Sequence, residues 1–255
     1  MHLKVIACEI SAREIYHCAA KALNTTDITL LTEGLHDNPE TMRERIQEEI
    51  AAVPEDRFDA VLLGYGLCNN GTVGVRAARH RLVIPRAHDC ITFFLGSKER
   101  YAQLFAEAPG TYYYTSGWLE YESREGERVD YTPASGLAKK MALQEYIEKY
   151  GEENGRYLFE SMAQWEFHYT HGALIAFPFT ERLGLAERVQ AICEEKNWVY
   201  REIPGDLGLV QDWLDGKWDD DRFMTVQPGQ EIQARYDDSI LCARPCPTCG
   251  EPQSI

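Results

Sequence analysis

Three cysteines stand where chemistry is expected in this chain. Cys8 closes the apolar run LKVIAC, Cys68 lies in VLLGYGLCNNGTVG at Val61 to Gly74, and Cys90 lies in LVIPRAHDCITFFLGS at Leu82 to Ser97. Each apolar run has the character of a buried strand, and each stops at its cysteine, the latter two in turns marked by glycine or proline. In an open α/β sheet the carboxyl ends of parallel strands share one edge, and ligands bind in the crevice there. Parallel pairing would therefore bring together three cysteines that are far apart in sequence. Three thiolates on one metal leave a fourth coordination position open. At zinc that position could take a substrate thiol as its thiolate, the nucleophile that methyl transfer needs. A 4Fe-4S cluster would use the same three ligands and expose one iron, and the sequence does not choose between the two. The competing reading treats each cysteine as a small buried hydrophobe.

The neighbours supply candidate roles. Glu9, His88 and Asp89 are the candidate catalytic groups. His88 would serve as a fourth ligand, an acid/base group or an orienter of a cysteine, against the plainer role of a hydrogen-bonded loop histidine. Arg13, one turn into the first helix, could reach an anionic substrate group. Gly66 in GYGLCNNG would let backbone amides approach it, and Asn69 in the same loop joins the candidate substrate-binding residues. The glycine spacing matches neither a dinucleotide fingerprint nor a P-loop. Asp206 in IPGDLG is a further acidic candidate, more simply read as the cap of the following helix.

Other conspicuous residues read as structural. Cys18 and Cys193 fall inside amphipathic helices. Cys242, Cys246 and Cys249 have C-x3-C-x2-C spacing, superficially that of radical S-adenosylmethionine enzymes, but they stand at the end of the chain instead of after an early strand. An adventitious or disordered tail is expected, with metal binding or thiol delivery as the alternative. His168 and His171 lack an acidic partner nearby, and Tyr112 to Tyr114, Trp213 and Trp218 are expected to pack.

The elements that must position these residues follow an α/β rhythm. Leu3 to Cys8 predicts a strand and the stretch after it a helix, with Ser11 as cap and Glu14 as its capping-box partner. Ile28 onward predicts a second strand. Pro39 opens a helix whose Met42, Ile46, Ile50 and Val53 share a face. Strands at Asp59 to Leu63 and Leu82 to Pro85 flank a short helix near Gly71 to Arg79, and Ser97 caps a helix starting KERYAQ. This βαβαβαβα order predicts a Rossmann-like, mostly parallel sheet with helices on both faces. After the strand-like TYYYTSGW come a polar stretch from Tyr121 and helices at Leu137 to Tyr150 and Glu153 to Phe167. The rhythm then returns with a strand at Ala173 to Phe179, a helix, the strand WVYREIPG, a short helix stopped by Gly216, and a last strand and turn. The division expected is 1–115 as the cysteine-bearing half, 116–240 as a second α/β half and 241–255 as a tail. The halves form either two lobes or one continuous sheet.

Composition narrows the function classes. Of 255 residues, 44% are hydrophobic and 26% charged, and this mixture suits a globular domain. The net charge of -15 would repel nucleic-acid phosphates and anionic lipid, so neither is an expected partner. No apolar run approaches the roughly 20 residues of a membrane span. With no export signal in view, a cytoplasmic protein is expected, and its eight cysteines are expected to be thiols or metal ligands more than disulfides.

ACEISARE, GYGLCNNG, PRAHDCITFFLGS and YREIPGDLGLVQDWLDGKWDDDRFMTVQPGQEI together resemble the bacterial and archaeal family grouped as domain of unknown function 1638. The resemblance runs from Val5 to about Ile232. It implies an α/β fold and a setting, often in anaerobes, beside corrinoid-dependent methyltransferase systems, which makes a corrinoid protein a candidate partner. It brings no established reaction. The expectation from residues and resemblance combined is a metal centre at Cys8, Cys68 and Cys90 acting on a small molecule. Zinc-dependent thiol or methyl transfer leads. A 4Fe-4S lyase or desulfurase, and a metal or corrinoid carrier without turnover, are the alternatives.

Overall fold

The computed structural model describes residues 1–122, 144, 147, 151, 152 and 169–246. Most of the two helices expected between Leu137 and Phe167, with His168 and Cys249, lie outside the described residues. The chain divides into two compact units, Met1–Gln103 with Gly205–Ile255, and Leu104–Pro204. These boundaries differ from 115/116 and 240/241 because the chain from Gly205 returns to the sheet where it began.

Alternation of buried side chains builds the central sheet of the first unit. Its strands are β1 (His2–Cys8), β2 (Thr25–Leu31), β3 (Ala60–Gly64), β4 (Leu82–Pro85) and β8 (Phe223–Val226), in the order β2-β1-β3-β4-β8. The first four are parallel, and β8 runs antiparallel along β4. Leu3, Val5, Ala7, Ala60, Leu62 and Val83 turn to one face, where α1 (Ala12–Ala19) adds Ile15 and Cys18 and α7 (Gly208–Asp215) adds Val210 and Trp213. Ile6, Val61, Leu63, Leu82 and Ile84 turn to the other, against Met42, Ile46 and Ile50 of α2 (Pro39–Ala51). A period of two on strands meets a period near 3.6 on helices, so both faces are covered and the mostly parallel α/β expectation holds. Asn38 caps α2 by accepting the Thr41 amide, at 3.1 Å. Among the described residues no helix is long and apolar enough to cross a membrane.

Several local expectations change. Gly71 to Arg79 is not a helix. Val75 and Ala77 are buried around an exposed Arg76, a strand-like alternation, and this segment exchanges backbone bonds with Gln230 and Ile232 of β9 (Gln230–Ala234). Residues 241–245 are no loose tail: Leu241–Pro245 form β10, antiparallel to β9, with Leu241 in the core and Cys246 9% exposed. Ser11 does not close a capping box, since its hydroxyl donates back to the Cys8 carbonyl at 2.9 Å and a 3-10 turn, Glu9–Ser11, precedes α1. After Cys90 the chain forms a five-residue helix, α3 (Ile91–Leu95), before α4 (Lys98–Glu107), whose Ser97 cap accepts from the Arg100 amide.

The second unit carries its own parallel sheet, β5 (Thr111–Tyr114), β6 (His171–Ala176) and β7 (Val199–Pro204), in that order. The α/β stretches thus form separate sheets. Helix α5 (Ser116–Glu122) takes residues expected as strand, its start held by the Trp118 amide donating to the Thr115 hydroxyl. Helix α6 (Leu185–Lys196) packs Leu185, Val189 and Cys193 with Tyr114 and Leu174.

Candidate functional site

The strand order places the site. The chain steps from β1 to β2 on one side and then crosses back to β3 on the other, so the direction of winding reverses between β1 and β3. Ligands of open α/β sheets bind beyond the carboxyl ends at such a reversal. Cys8 is the last residue of β1, Cys68 follows β3 by four residues and Cys90 follows β4 by five. All three therefore leave the sheet at the same edge.

Backbone bonds join the two cysteine loops. The Leu67 amide donates to the Ala87 carbonyl at 2.8 Å and the Cys68 amide to the His88 carbonyl at 2.9 Å. Gly66 makes this approach possible, because a Cβ there would stand 2.7 Å from the Ala87 oxygen and 2.9 Å from the Asp89 nitrogen. The β3 loop then makes a left-handed turn over three non-glycine residues, with φ of 46° at Cys68, 54° at Asn69 and 64° at Asn70. Each such residue costs about 1–2 kcal/mol relative to a right-handed one, somewhat less for asparagine, so the turn is held by its surroundings. Those include the Gly71 amide on the Cys68 carbonyl and the buried Thr72 hydroxyl on the Gly66 carbonyl.

The three thiols keep intermediate exposure yet lie in strongly desolvating surroundings. Burial is the first cause pushing both Cys8 and Cys68 up to about 12, and it raises Cys90 well above its usual value. They also act on one another: Cys68 raises Cys8, and Cys68 and Cys8 both raise Cys90. Backbone bonds from Ile10 and Gly66 pull the other way at Cys8 and Cys68. From about 12 down to pH 7 is five pH units at about 1.36 kcal/mol each, so holding one of these sulfurs as a bare thiolate costs roughly 7 kcal/mol. A free thiolate nucleophile is thereby disfavoured, and a compensating cation is what would make this group reactive.

A carboxylate that sequence reasoning missed belongs here. Glu33, 6% exposed, follows β2 by two residues, and its charge raises both Cys8 and Cys90. The rule that pointed to the cysteines, the shared carboxyl edge, applies equally to the β2 loop and could have found it. Glu9 lies beside it, accepting the Glu33 amide at 3.0 Å. Asp89 is raised chiefly by burial, and its carboxylate accepts from the Ile91 amide at 3.0 Å and the Tyr101 hydroxyl at 3.2 Å. His88 and Asn69 are exposed at the rim, with Asn69 donating to the His36 carbonyl at 3.4 Å. Arg13 is exposed on the first turn of α1.

The remaining candidates sort to structural places. Asp206 accepts the Gly208 amide at 2.7 Å at the start of α7. Cys18 and Cys193 are core, 0% and 2% exposed. Trp213 is buried, donating to the Val83 carbonyl, and Trp218 donates to the Trp213 carbonyl. His171 opens β6 with its ring beside the Thr170 hydroxyl. Among the described residues, no three His, Cys, Asp or Glu side chains are arranged to hold a metal ion as they lie.

Fold and site define a doubly wound α/β protein whose switch point is lined by thiols and carboxylates. The chain belongs to the family described as Protein of unknown function (DUF1638), whose model matches residues 30–214. That span takes in Glu33, Cys68 and Cys90, while Cys8 lies upstream of it. No curated protein and no solved structure matches the chain.

Proposed function

We propose that the carboxyl edge of the first sheet is a metal-dependent site in which Cys8, Cys68 and Cys90 are the ligands and a small molecule takes the open position. One observation carries this reading: Cys8, Cys68, Cys90 and Glu33 all leave the sheet at one carboxyl edge, where burial raises the three thiols and Glu33 and Cys68 further raise Cys8 and Cys90, so a cation there would offset what burial costs the thiolates. Loading requires the sulfurs to shift from where they lie.

Zinc and a substrate thiol are the leading pair. The thiol would bind as thiolate, its proton passing to solvent at the rim beside His88. Cys8, Cys68 and Cys90 would hold the zinc, whose charge would keep that sulfur nucleophilic for thiol or methyl transfer, with a corrinoid protein as the candidate partner. The corrinoid rests on the family setting that the resemblance implies, and Arg13, Gly66 and Asn69 would receive the rest of the substrate. A 4Fe-4S cluster on the same ligands is the alternative loading, and a carrier without turnover the alternative use. Free thiols at all seven described cysteines suit a reducing compartment, and we assign the protein to the cytoplasm.

The test is metal and acid-labile sulfide analysis, with a visible spectrum, on protein purified without oxygen. Zinc alone supports thiol activation, and iron with sulfide supports the cluster. Ser at position 8, 68 or 90 should cost most of the bound metal, while Cys18→Ser and Cys193→Ser should keep it. Equal retention in all five variants, or no stoichiometric metal in folded reduced protein, would sink the proposal.

A further inference from the structure

Strand β2 ends the first sheet with no strand on its outer side among the described residues. It pairs one-to-one with β1 over its whole length, Thr25 to Leu31, without a bulge. The Thr25 amide donates to the Met1 carbonyl at 3.1 Å, so Thr25, Asp27, Thr29 and Leu31 turn their backbone groups toward β1. Thr26, Ile28 and Leu30 turn theirs outward, and these groups meet no hydrogen-bond partner among the described residues.

An open edge recruits further strands unless it is guarded, and natural edges carry lysine, proline, charge or a bulge for that purpose. The second sheet follows this rule. The Val199 amide bonds inward to the Thr170 carbonyl, so β7 turns Glu202 and Pro204 to its outer edge. The β2 edge, TTDITLL, has no lysine, proline or bulge. Its one charge, Asp27, is neutralised within its own chain by Lys4 at 2.5 Å and Arg57 at 3.5 Å. Ile28 and Leu30 are only partly buried on the α1 face. Tyr16 of α1 and Leu23, just ahead of β2, are 52% and 78% exposed.

We propose that β2 is a dimer interface, pairing antiparallel with β2 of a second copy of this chain about a two-fold axis at Ile28. The edge is self-complementary in this register. Ile28 stands opposite Ile28 of the second copy and Thr26 opposite its Leu30, and outward-facing residues placed directly opposite exchange both backbone bonds. Every free amide of either edge then finds a free carbonyl of the other. Asp27 falls opposite Thr29 of the second copy, so no like charges meet, while Ile28 and Leu30 carry the apolar face across the axis. Such an isologous contact closes at two copies, because pairing consumes the edge. The antiparallel arrangement sends the two cysteine edges to opposite ends of the dimer, and the inference is therefore independent of the metal reading.

The experiment uses full-length, reduced protein at about 0.15 M salt, which screens the repulsion between two chains of net charge -15 beyond about 8 Å. Sedimentation velocity over a dilution series gives the mass, and residue-resolved amide exchange is read at both ends of the series. Wild type should run at twice the chain mass when concentrated and protect the amides of Thr26, Ile28 and Leu30 there only. The amides of Asp27 and Thr29, bonded to β1, should stay protected throughout and serve as the internal control. Thr26→Pro removes one outward amide per chain and leaves the ladder to β1 intact, so it should raise the dissociation constant about 30-fold or more through the two bonds lost. Ile28→Lys, which sets two like charges on the axis, should be monomeric. Urea midpoints of the dilute proteins check that the variants fold, and the wild-type exchange pattern decides alone if either does not. Wild type that stays monomeric, a dimer in which the three outward amides exchange freely, or an undiminished dimer in Thr26→Pro would each overturn the proposal. A monomer with those amides protected would give the edge to another segment of the chain and overturn it as well.

Discussion

Metal affinity at the thiol group should climb steeply with pH. Burial holds Cys8 and Cys68 up at about 12 and Cys90 well above its usual value, so all three carry their protons throughout the neutral range. Binding as thiolates then expels three protons per metal ion, and apparent affinity should rise about a thousandfold per pH unit between roughly pH 6 and 8. The same shifts set the stability of the metal-free form. A group whose folded pKa is raised stabilises fully below its unfolded value and loses that contribution as pH rises toward the folded one. For Cys8 and Cys68 the window runs from 9.0 to about 12, and Cys18, pushed to about 11, joins them. Metal-free protein should therefore weaken above about pH 9 by roughly 1.4 kcal/mol per pH unit for each thiol, a loss that loaded protein escapes at Cys8, Cys68 and Cys90 because they are already ionised. Chelator competition across the pH range gives the slope, and calorimetry in buffers of different ionisation enthalpy counts the protons. A slope near one, or a single proton released, would refute a three-cysteine site.

Three further changes probe how the site is held. Gly66→Ala forces a Cβ onto the Ala87 carbonyl and the Asp89 amide, and should destabilise the fold by about 1–3 kcal/mol in urea unfolding while lowering metal retention. Arg86 donates to the carbonyls of Asp220, Ser239 and Leu241 at 2.7, 2.8 and 2.6 Å, so Arg86→Ala should cost about 2–4 kcal/mol of unfolding free energy and speed amide exchange in β10. Asn70→Ala, at a φ of 64°, should cost about 1 kcal/mol in the same assay, a smaller loss than Gly66→Ala because nothing collides.

Much of this was legible in the chain. Apolar runs marked β1, β3 and β4, because a sheet covered on both faces buries successive strand residues, and the stripe Met42, Ile46, Ile50 marked α2, because burial on one side of a helix leaves its period in the sequence. The cysteines at the strand ends were visible for the same reason. Gly71 to Arg79 misled, since a short segment with turn residues and a few small apolar ones fits one helical turn as well as a strand edge. The C-terminal residues misled because Pro and Gly suggest a loose tail, whereas the pairing of β10 depends on β9 and on the carbonyls that Arg86 gathers. Glu33 went unnoticed because a lone glutamate in a loop carries no periodic signal.

By itself the sequence determined the α/β class, the strands that lead into the cysteines and the family. Those are local or cumulative properties, written by side-chain period and motif. Only the tertiary structure decided that β1 lies between β2 and β3, that the chain returns from the second unit to lay β8 along β4, and that Glu33 leaves the sheet at the same edge as the thiols. The reason is physical: strand order and register are fixed by which apolar faces pack best over long sequence separations, and an isolated residue cannot encode which distant neighbour it will meet.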